Sequence, residues 1–241
     1  MQVVTLSYFR YDNWASRFEA FTQMARARYA LRNVEGLEFF KLMGTGSDAG
    51  FTPVPNVNVN AILAVWKDME TAKKAVHDNL TYRIWRDHSC EMWTLYMAAT
   101  SARGRWSGAE PFTPQMKEKR GPLAVLTRAT LKLPVALQFW KEVPDIQDMV
   151  KEDPDVVFKM GMAEVPWVQQ VTFSIWPNAK VMNKFARGDC PHARAIQNVR
   201  DGNWFKEELY ARFRILEDEG TWEGKSPLEK LKAEKTEEEA A

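Results

Sequence analysis

Cysteine is almost missing from this chain: 241 residues contain two, Cys90 and Cys190. Two thiols without a CxxC spacing exclude a disulfide scaffold and supply no zinc or dithiol redox motif. Histidine is nearly as rare, and His77, His88 and His192 are all there are. No HExxH pair or other zinc-ligand spacing connects them. Neither sign of charge dominates, because 33 Lys plus Arg oppose 32 Asp plus Glu. That balance argues against a strongly charged nucleic-acid binder, and no nucleic-acid partner is expected. No run is apolar enough to span a bilayer. The start, "MQVVTLSYFRYDNW", lacks the basic region and apolar stretch of a signal peptide. A reducing, cytoplasmic setting is the expectation, with peripheral contact at the inner membrane left open. Flat apolar side chains are plentiful instead: ten Trp and thirteen Phe. They suit a core or an apolar ligand pocket, and composition does not choose between the two.

Periodicity divides the chain into two similar series. "VVTLSYFRY" reads as a strand over 3–11, dominated by β-branched and aromatic residues. Trp14, Phe18, Phe21 and Ala25 recur at helical spacing and give the next helix an apolar face. "GLEFFKLMG" is a second strand, followed by the Gly-, Pro- and Asn-rich loop "TGSDAGFTPVPNVNVN". "AILAVW" is a third strand. "DMETAKKAVHDNLTYRIWRDH" is helical with a break near Asp78 and Asn79, and "EMWTLYMAA" is a fourth strand. The second series repeats this order. "PLAVLTRATL" is a strand, and Pro134 opens a helix. "VVFKMGM" resembles "EFFKLMG", and "VQQVTFSIW" resembles "VNAILAVW" with Trp176 standing where Trp66 stood. Helical sequence follows around "AKVMNKFAR" and "PHARAIQNV", and "KEELYARFRIL" closes as a strand.

The simplest architecture is α+β, with duplicated ferredoxin-like βαββαβ units. Their exposed sheet faces can pack together and enclose a pocket. The boundaries read as a first half over 1–105, a linker over 106–121, a second half over 122–222 and a charged tail over 223–241. The tail is expected to be a solvated helix or frayed segment. A single irregular α+β domain is the plainer alternative.

Chemistry centres on His192. Pro191 fits the first turn of a helix, with Asp189 or Cys190 as its cap. Ala195, Ile196 and Val199 lie on the same helix face as His192, so the imidazole points towards packing. A neutral imidazole there can ligate haem iron, provided an acceptor orients its other nitrogen. As a core histidine bonded to a carbonyl it needs no ligand. His77 and His88 are the alternative iron ligands. Arg103 and Arg105 can meet haem propionates, since guanidinium makes paired contacts with carboxylates. As linker residues they merely aid solubility. "GTGSDAG" lacks both the P-loop and dinucleotide patterns. Trp66 and Trp176 can wall an apolar pocket or serve as core. Glu207 and Glu208 read as polar-face strand residues, with no sign of a paired-acid site.

"FKLMGTGSDAGFTPVPN", "PHARAIQNVRDGNWFKEELYARF" and "DEGTWEG" resemble the spheroidene monooxygenase family, also called acyclic carotenoid 2-ketolases. The resemblance runs from "VVTLSYFRY" through "DEGTWEGKSPL". It implies a dimeric α+β barrel fold with both ferredoxin-like halves fused in one chain. It also implies a haem b enzyme that uses O₂ and electrons from reduced ferredoxin or a similar donor. The implied substrate is a spheroidene-type acyclic carotenoid, converted at C2 to a 2-oxo product by successive hydroxylations and dehydration. His192 falls in the matching "PHARAI" segment and is the implied proximal ligand. Two other readings stand beside this one. The first is a different haem-dependent oxidation or dehydration of an apolar substrate, because fold does not fix chemistry. The second is a haem or apolar-ligand binding module without turnover. Oligomeric state is not legible, since fusion of two halves makes a monomer sufficient without forbidding a dimer.

Overall fold

The computed structural model describes residues 1–47, 54–117, 121–135, 155–187, 204–229 and 231. Its first series is β1 (Val3–Arg10), α1 (Trp14–Leu31), β2 (Leu37–Gly46), β3 (Pro55–Trp66), α2 (Met69–Asp78), α3 (Leu80–His88) and β4 (Glu91–Gly104). The second is β5 (Leu123–Leu131), β6 (Phe158–Ala163), β7 (Gln169–Trp176), α4 (Ala179–Arg187) and β8 (Phe205–Gly220). The helix opening at Pro134 and the "PHARAI" helix lie largely or wholly outside the described residues.

The strands form one closed barrel in the order β1-β3-β2-β6-β7-β5-β8-β4. Within it the first series runs β4-β1-β3-β2 and the second β8-β5-β7-β6, the same ferredoxin-like order. Two antiparallel seams join them, a long one between β4 and β8 and a short one between β2 and β6. Closure removes the sheet edges that each unit alone would expose. One side of each strand lines the barrel, where Leu6, Leu63, Leu95, Leu126, Phe173 and Phe213 belong to a single buried cluster. The barrel interior is therefore a packed core. Val3 pairs with Trp66 and Leu123 with Trp176, so Trp176 does stand where Trp66 stands. Both indoles are core: Trp66 donates to Thr5 at 2.9 Å and Trp176 to Ser174 at 2.9 Å.

Local chemistry explains several boundaries. Asn79 ends α2 and starts α3, because its side chain accepts from the Thr81 amide at 2.9 Å. β3 begins at Pro55, within the stretch expected to be loop. A register shift after Gly44 lets Thr45 and Gly46 pair with Asn56 and Pro55, and proline is tolerated at a strand's first residue. α1 departs from expectation in its orientation. Its buried side chains are Ser16, Ala20, Ala27 and Leu31. Trp14, Phe18 and Phe21 are 74%, 58% and 75% exposed, and Ala25 is exposed as well. Small residues let the helix sit close to the sheet, so the aromatic stripe faces outwards.

The two barrel ends are closed by the same device. β4 ends at Gly104 and β8 at Gly220, with φ of +100° and +81°. A side chain at either would meet partner-strand backbone, at 2.2 Å from the Glu208 carbonyl oxygen or 2.1 Å from that of Met92. Each glycine turns the chain so that a tryptophan, Trp106 or Trp222, is buried in the barrel cluster. A tight turn then bonds Trp106 N to the Ala109 carbonyl and Trp222 N to the Lys225 carbonyl, both at 2.8 Å. Across the seam, Glu207 accepts from the Ser107 and Gly108 amides at 2.9 and 2.7 Å, and Glu91 from the Gly224 amide at 2.8 Å. Arg128 pairs with Glu207 and lies 5.8 Å over the Trp106 ring. Arg10 pairs with Glu91 at 3.3 Å and lies 4.3 Å over the Trp222 ring. Residues 106–117 thus hold a buried anchor, Trp106, and Phe112 is buried too. Leu228, in the segment expected to be solvated, also joins the barrel cluster.

Burial raises the Glu207 carboxyl, but the Gly108 and Ser107 amides and the Arg128 guanidinium outweigh it and hold the pKa below the usual value. Burial likewise raises Glu91, and the Gly224 and Glu223 amides, Thr221 and Arg10 bring it below. A depressed carboxylate stabilises the fold above the unfolded value of about 4.3, and that stability is lost as pH falls through the folded value. E207Q is therefore expected to be less stable than wild type at pH 7, with the gap closing below about pH 4 in urea titrations. Gly104→Ala and Gly220→Ala are each expected to cost roughly 3 kcal/mol or more, because backbone collision adds to positive φ. Gly108→Ala meets nothing within 4 Å and should cost only about 1 kcal/mol.

Candidate active site on the outer face of the second half-sheet

The outer faces of the two half-sheets differ sharply. On the first, Phe9, Ile62 and Leu42 are buried beneath α1–α3. Phe9 meets Trp85 edge-on at 5.3 Å. The matching positions follow from strand register. Phe9 and Ala129 each lie six residues after Val3 and Leu123, the residues paired with Trp66 and Trp176. Ile62 and Thr172 each lie four residues before those tryptophans. Leu42 pairs with Ile62, and Gly161 with Thr172. The second half therefore replaces Phe, Ile and Leu by Ala129, Thr172 and Gly161. Leu123 and Trp176 belong to the outer cluster with Met182 of α4, which fixes these alternate residues on the same outer face.

Direct pairing extends this face across the sheet. Gly161, Thr172, Thr127, Tyr210 and Arg103 form one row. Lys159, Ser174, Val125, Arg212 and Ser101 form the next. The wall is thus made of small and hydroxyl side chains and has a cationic edge. The Arg103 guanidinium lies 5.6 Å from the centre of the Tyr210 ring. The Tyr210 hydroxyl donates to Glu208 at 3.1 Å. Arg212 donates to the side-chain Oδ1 of Asn183 on α4 at 3.1 Å. Such a wall accepts a flat or extended apolar group and can pair with carboxylates at its margin.

The expected site residues fall differently on this frame. Arg103 ends the row that runs from Gly161 through Tyr210. Arg105, just beyond the strand end, pairs with Glu110 at 3.2 Å, both side chains being largely exposed. His192 lies outside the described residues. His77 and His88 belong to the helices of the first half: His77 meets Glu219 at 3.3 Å, and His88 Nδ1 lies 2.8 Å from the Ile84 carbonyl. Neither stands on the cleared wall. Glu207 serves the barrel end, and Glu208 holds Tyr210. Ala129, Thr172, Gly161 and Tyr210 escaped the sequence reading. The alignment of "VNAILAVW" with "VQQVTFSIW" on their tryptophans already places Thr172 opposite Ile62, and that was the available signal.

Two fused ferredoxin-like halves in a closed barrel with outer helices define the dimeric α+β barrel class. The solved structure of aldoxime dehydratase shares this fold, with a TM-score of 0.59 over 89% of this chain and 82% of that one at 10% identity. No family model matches the chain. It is 48% identical over 230 residues to spheroidene monooxygenase of Cereibacter sphaeroides, covering 95% of this chain and 71% of that protein. It is 43% identical over 231 residues to spheroidene monooxygenase of Rhodobacter capsulatus, covering 95% and 96%. The chain belongs to the spheroidene monooxygenase family, and it is a monooxygenase and hence an oxidoreductase.

Ala129→Phe restores at the cleared wall the side chain that the first half carries at Phe9. Ala129 is part-buried, so the larger ring is expected to cost about 1–3 kcal/mol of unfolding free energy. Monooxygenase turnover should fall by roughly tenfold or more, as binding geometry at the wall is lost. Denaturation and product formation on the same preparation check both expectations.

Proposed function

We propose that this enzyme oxidises C2 of a spheroidene-type acyclic carotenoid to a 2-oxo group, using haem b bound against the outer face of the second half-sheet. Family membership supports the substrate class. The observation that supports the place is the replacement of Phe9, Ile62 and Leu42 in the first half by Ala129, Thr172 and Gly161 in the second. These residues fit a flat macrocycle: the wall is cleared of bulk and carries guanidinium at its margin. In this reading His192 would hold the haem iron, and Arg103 and Arg105 would pair with the propionates. When bound, haem supplies activation of O₂ with electrons from reduced ferredoxin or a similar donor.

The chain's own residues supply placement. Arg103, held over Tyr210, offers donors in a fixed plane for a carboxylate. Tyr210 is tied to Glu208, which limits its rotation. The small residues of the wall leave room for a flat group to lie against the sheet. Two successive hydroxylations at one carbon give a geminal diol, which loses water to leave the ketone. Each hydroxylation replaces one C–H bond by C–OH and takes one oxygen atom from O₂, the other leaving as water with two electrons and two protons from the donor.

Mass spectrometry of products from spheroidene, with haem-loaded protein, O₂ and a reductant, tests the reaction. A 2-oxo product that needs all components is expected. No oxidation despite an intact haem spectrum and effective reduction would overturn the substrate assignment. His192→Ala is expected to lose the native axial spectrum and most turnover while circular dichroism shows the fold retained. A variant keeping both the spectrum and normal turnover would remove His192 from the ligand role.

A further inference from the structure

α1 presents an outward face that nothing among the described residues covers. Trp14, Phe18 and Phe21 recur one turn apart, and Tyr29 continues the ridge at 72% exposure. All four project away from the buried stripe of Ser16, Ala20, Ala27 and Leu31. The ridge from Trp14 to Tyr29 is about 22 Å long at helical rise. A run of exposed aromatics on one helix marks an interaction surface rather than ordinary surface scatter.

Charge identifies the partner. Arg17, Arg26 and Arg28 lie on α1 and Arg32 follows it, against a single acid, Glu19, whose carboxylate already accepts from Gln23 at 2.6 Å. Arg26, Arg28 and Arg32 form no ion pair among the described residues. Arg32 instead lies 5.2 Å over the Tyr29 ring. Arg28 and Arg32 also line a shallow cleft of about 160 Å³ with Lys41 and Glu164, which pair with one another at 2.7 Å. The aromatics and the unpaired arginines share the outward side of α1, a combination that suits a membrane interface. Trp and Tyr suit the headgroup level, and the cations suit anionic lipid.

We propose that α1 docks this protein onto bilayers carrying anionic phospholipid, with Trp14, Phe18 and Phe21 inserted at the headgroup boundary and Arg26, Arg28 and Arg32 pairing with phosphate. The proposal stands on α1 alone. A carotenoid substrate, which is dissolved in bilayers, gives the docking its use.

Vesicle flotation of the full chain tests it, with phosphatidylcholine alone or mixed with phosphatidylglycerol. Wild type should partition onto the mixed vesicles, and added salt should weaken binding. The triple variant W14S/F18S/F21S should bind them roughly tenfold more weakly or worse, with an unchanged thermal midpoint because the three rings are exposed. R26Q/R28Q/R32Q should lose the preference for anionic lipid. Wild type binding neither vesicle would overturn the proposal, as would a triple variant that binds like wild type. A triple variant that alters the sedimenting mass without altering vesicle binding would assign the ridge to a second copy. The measurement needs no turnover, so its failure leaves the proposed reaction standing, and failure of the reaction leaves docking standing.

Discussion

The long seam between β4 and β8 is the constraint on which this molecule depends. It joins the first half to the second, and at each end it requires a positive φ so close to partner backbone that only glycine fits. From there a tryptophan turns into the barrel, and a carboxylate of the opposite half collects the turn's amides. Removing the seam would expose two sheet edges and free both tryptophan turns, whose amides Glu207 and Glu91 hold from across it. Each ion pair lies within one half, Arg128 with Glu207 and Arg10 with Glu91, and sets a carboxylate in place for the turn that the other half brings.

Against that near-symmetrical frame, the asymmetry of the outer faces carries the functional meaning. Large apolar side chains under α1–α3 make the first half a supporting half. The second half keeps the same strands but trims three of the matching positions. Such trimming costs packing energy unless something else occupies the space. The wall with its arginine margin is thus where the second half departs from the side-chain pattern of the first, and such departures gather at working sites.

Much of the fold was legible because alternation and helical spacing report which backbone pattern buries apolar surface. The break at Asn79 was legible because an asparagine side chain competes for helix-terminal amides. The duplicated order was visible in the paired tryptophans. Other features were hidden for physical reasons. Aligning "EFFKLMG" with "VVFKMGM" by eye sets Lys41 against Lys159, yet register matches Leu42 with Gly161, one residue away. A slip of one residue moves every side chain to the other face of a strand, so the cleared position could not be seen that way. The α1 stripe misled in another sense. Spacing shows that aromatics share a face, but which face meets the sheet depends on how closely the helix must approach, and Ala20 and Ala27 decide that. Within the candidate site, Arg103 was found by chemistry, whereas Ala129 and Gly161 have no chemistry to notice and show themselves only by comparison with Phe9 and Leu42.

The two tryptophan turns are also exchanged between halves. Trp106 follows the first half's last strand and is held by Arg128 and Glu207 of the second. Trp222 follows the second half's last strand and is held by Arg10 and Glu91 of the first. Each half therefore completes its neighbour, as two arms crossed in a handshake. Barrel integrity is in this way shared property, whereas each outer face remains private. One half can specialise its private face without forfeiting the closure that its partner guarantees, and this division of labour gives a duplicated barrel freedom that a single ferredoxin-like sheet lacks.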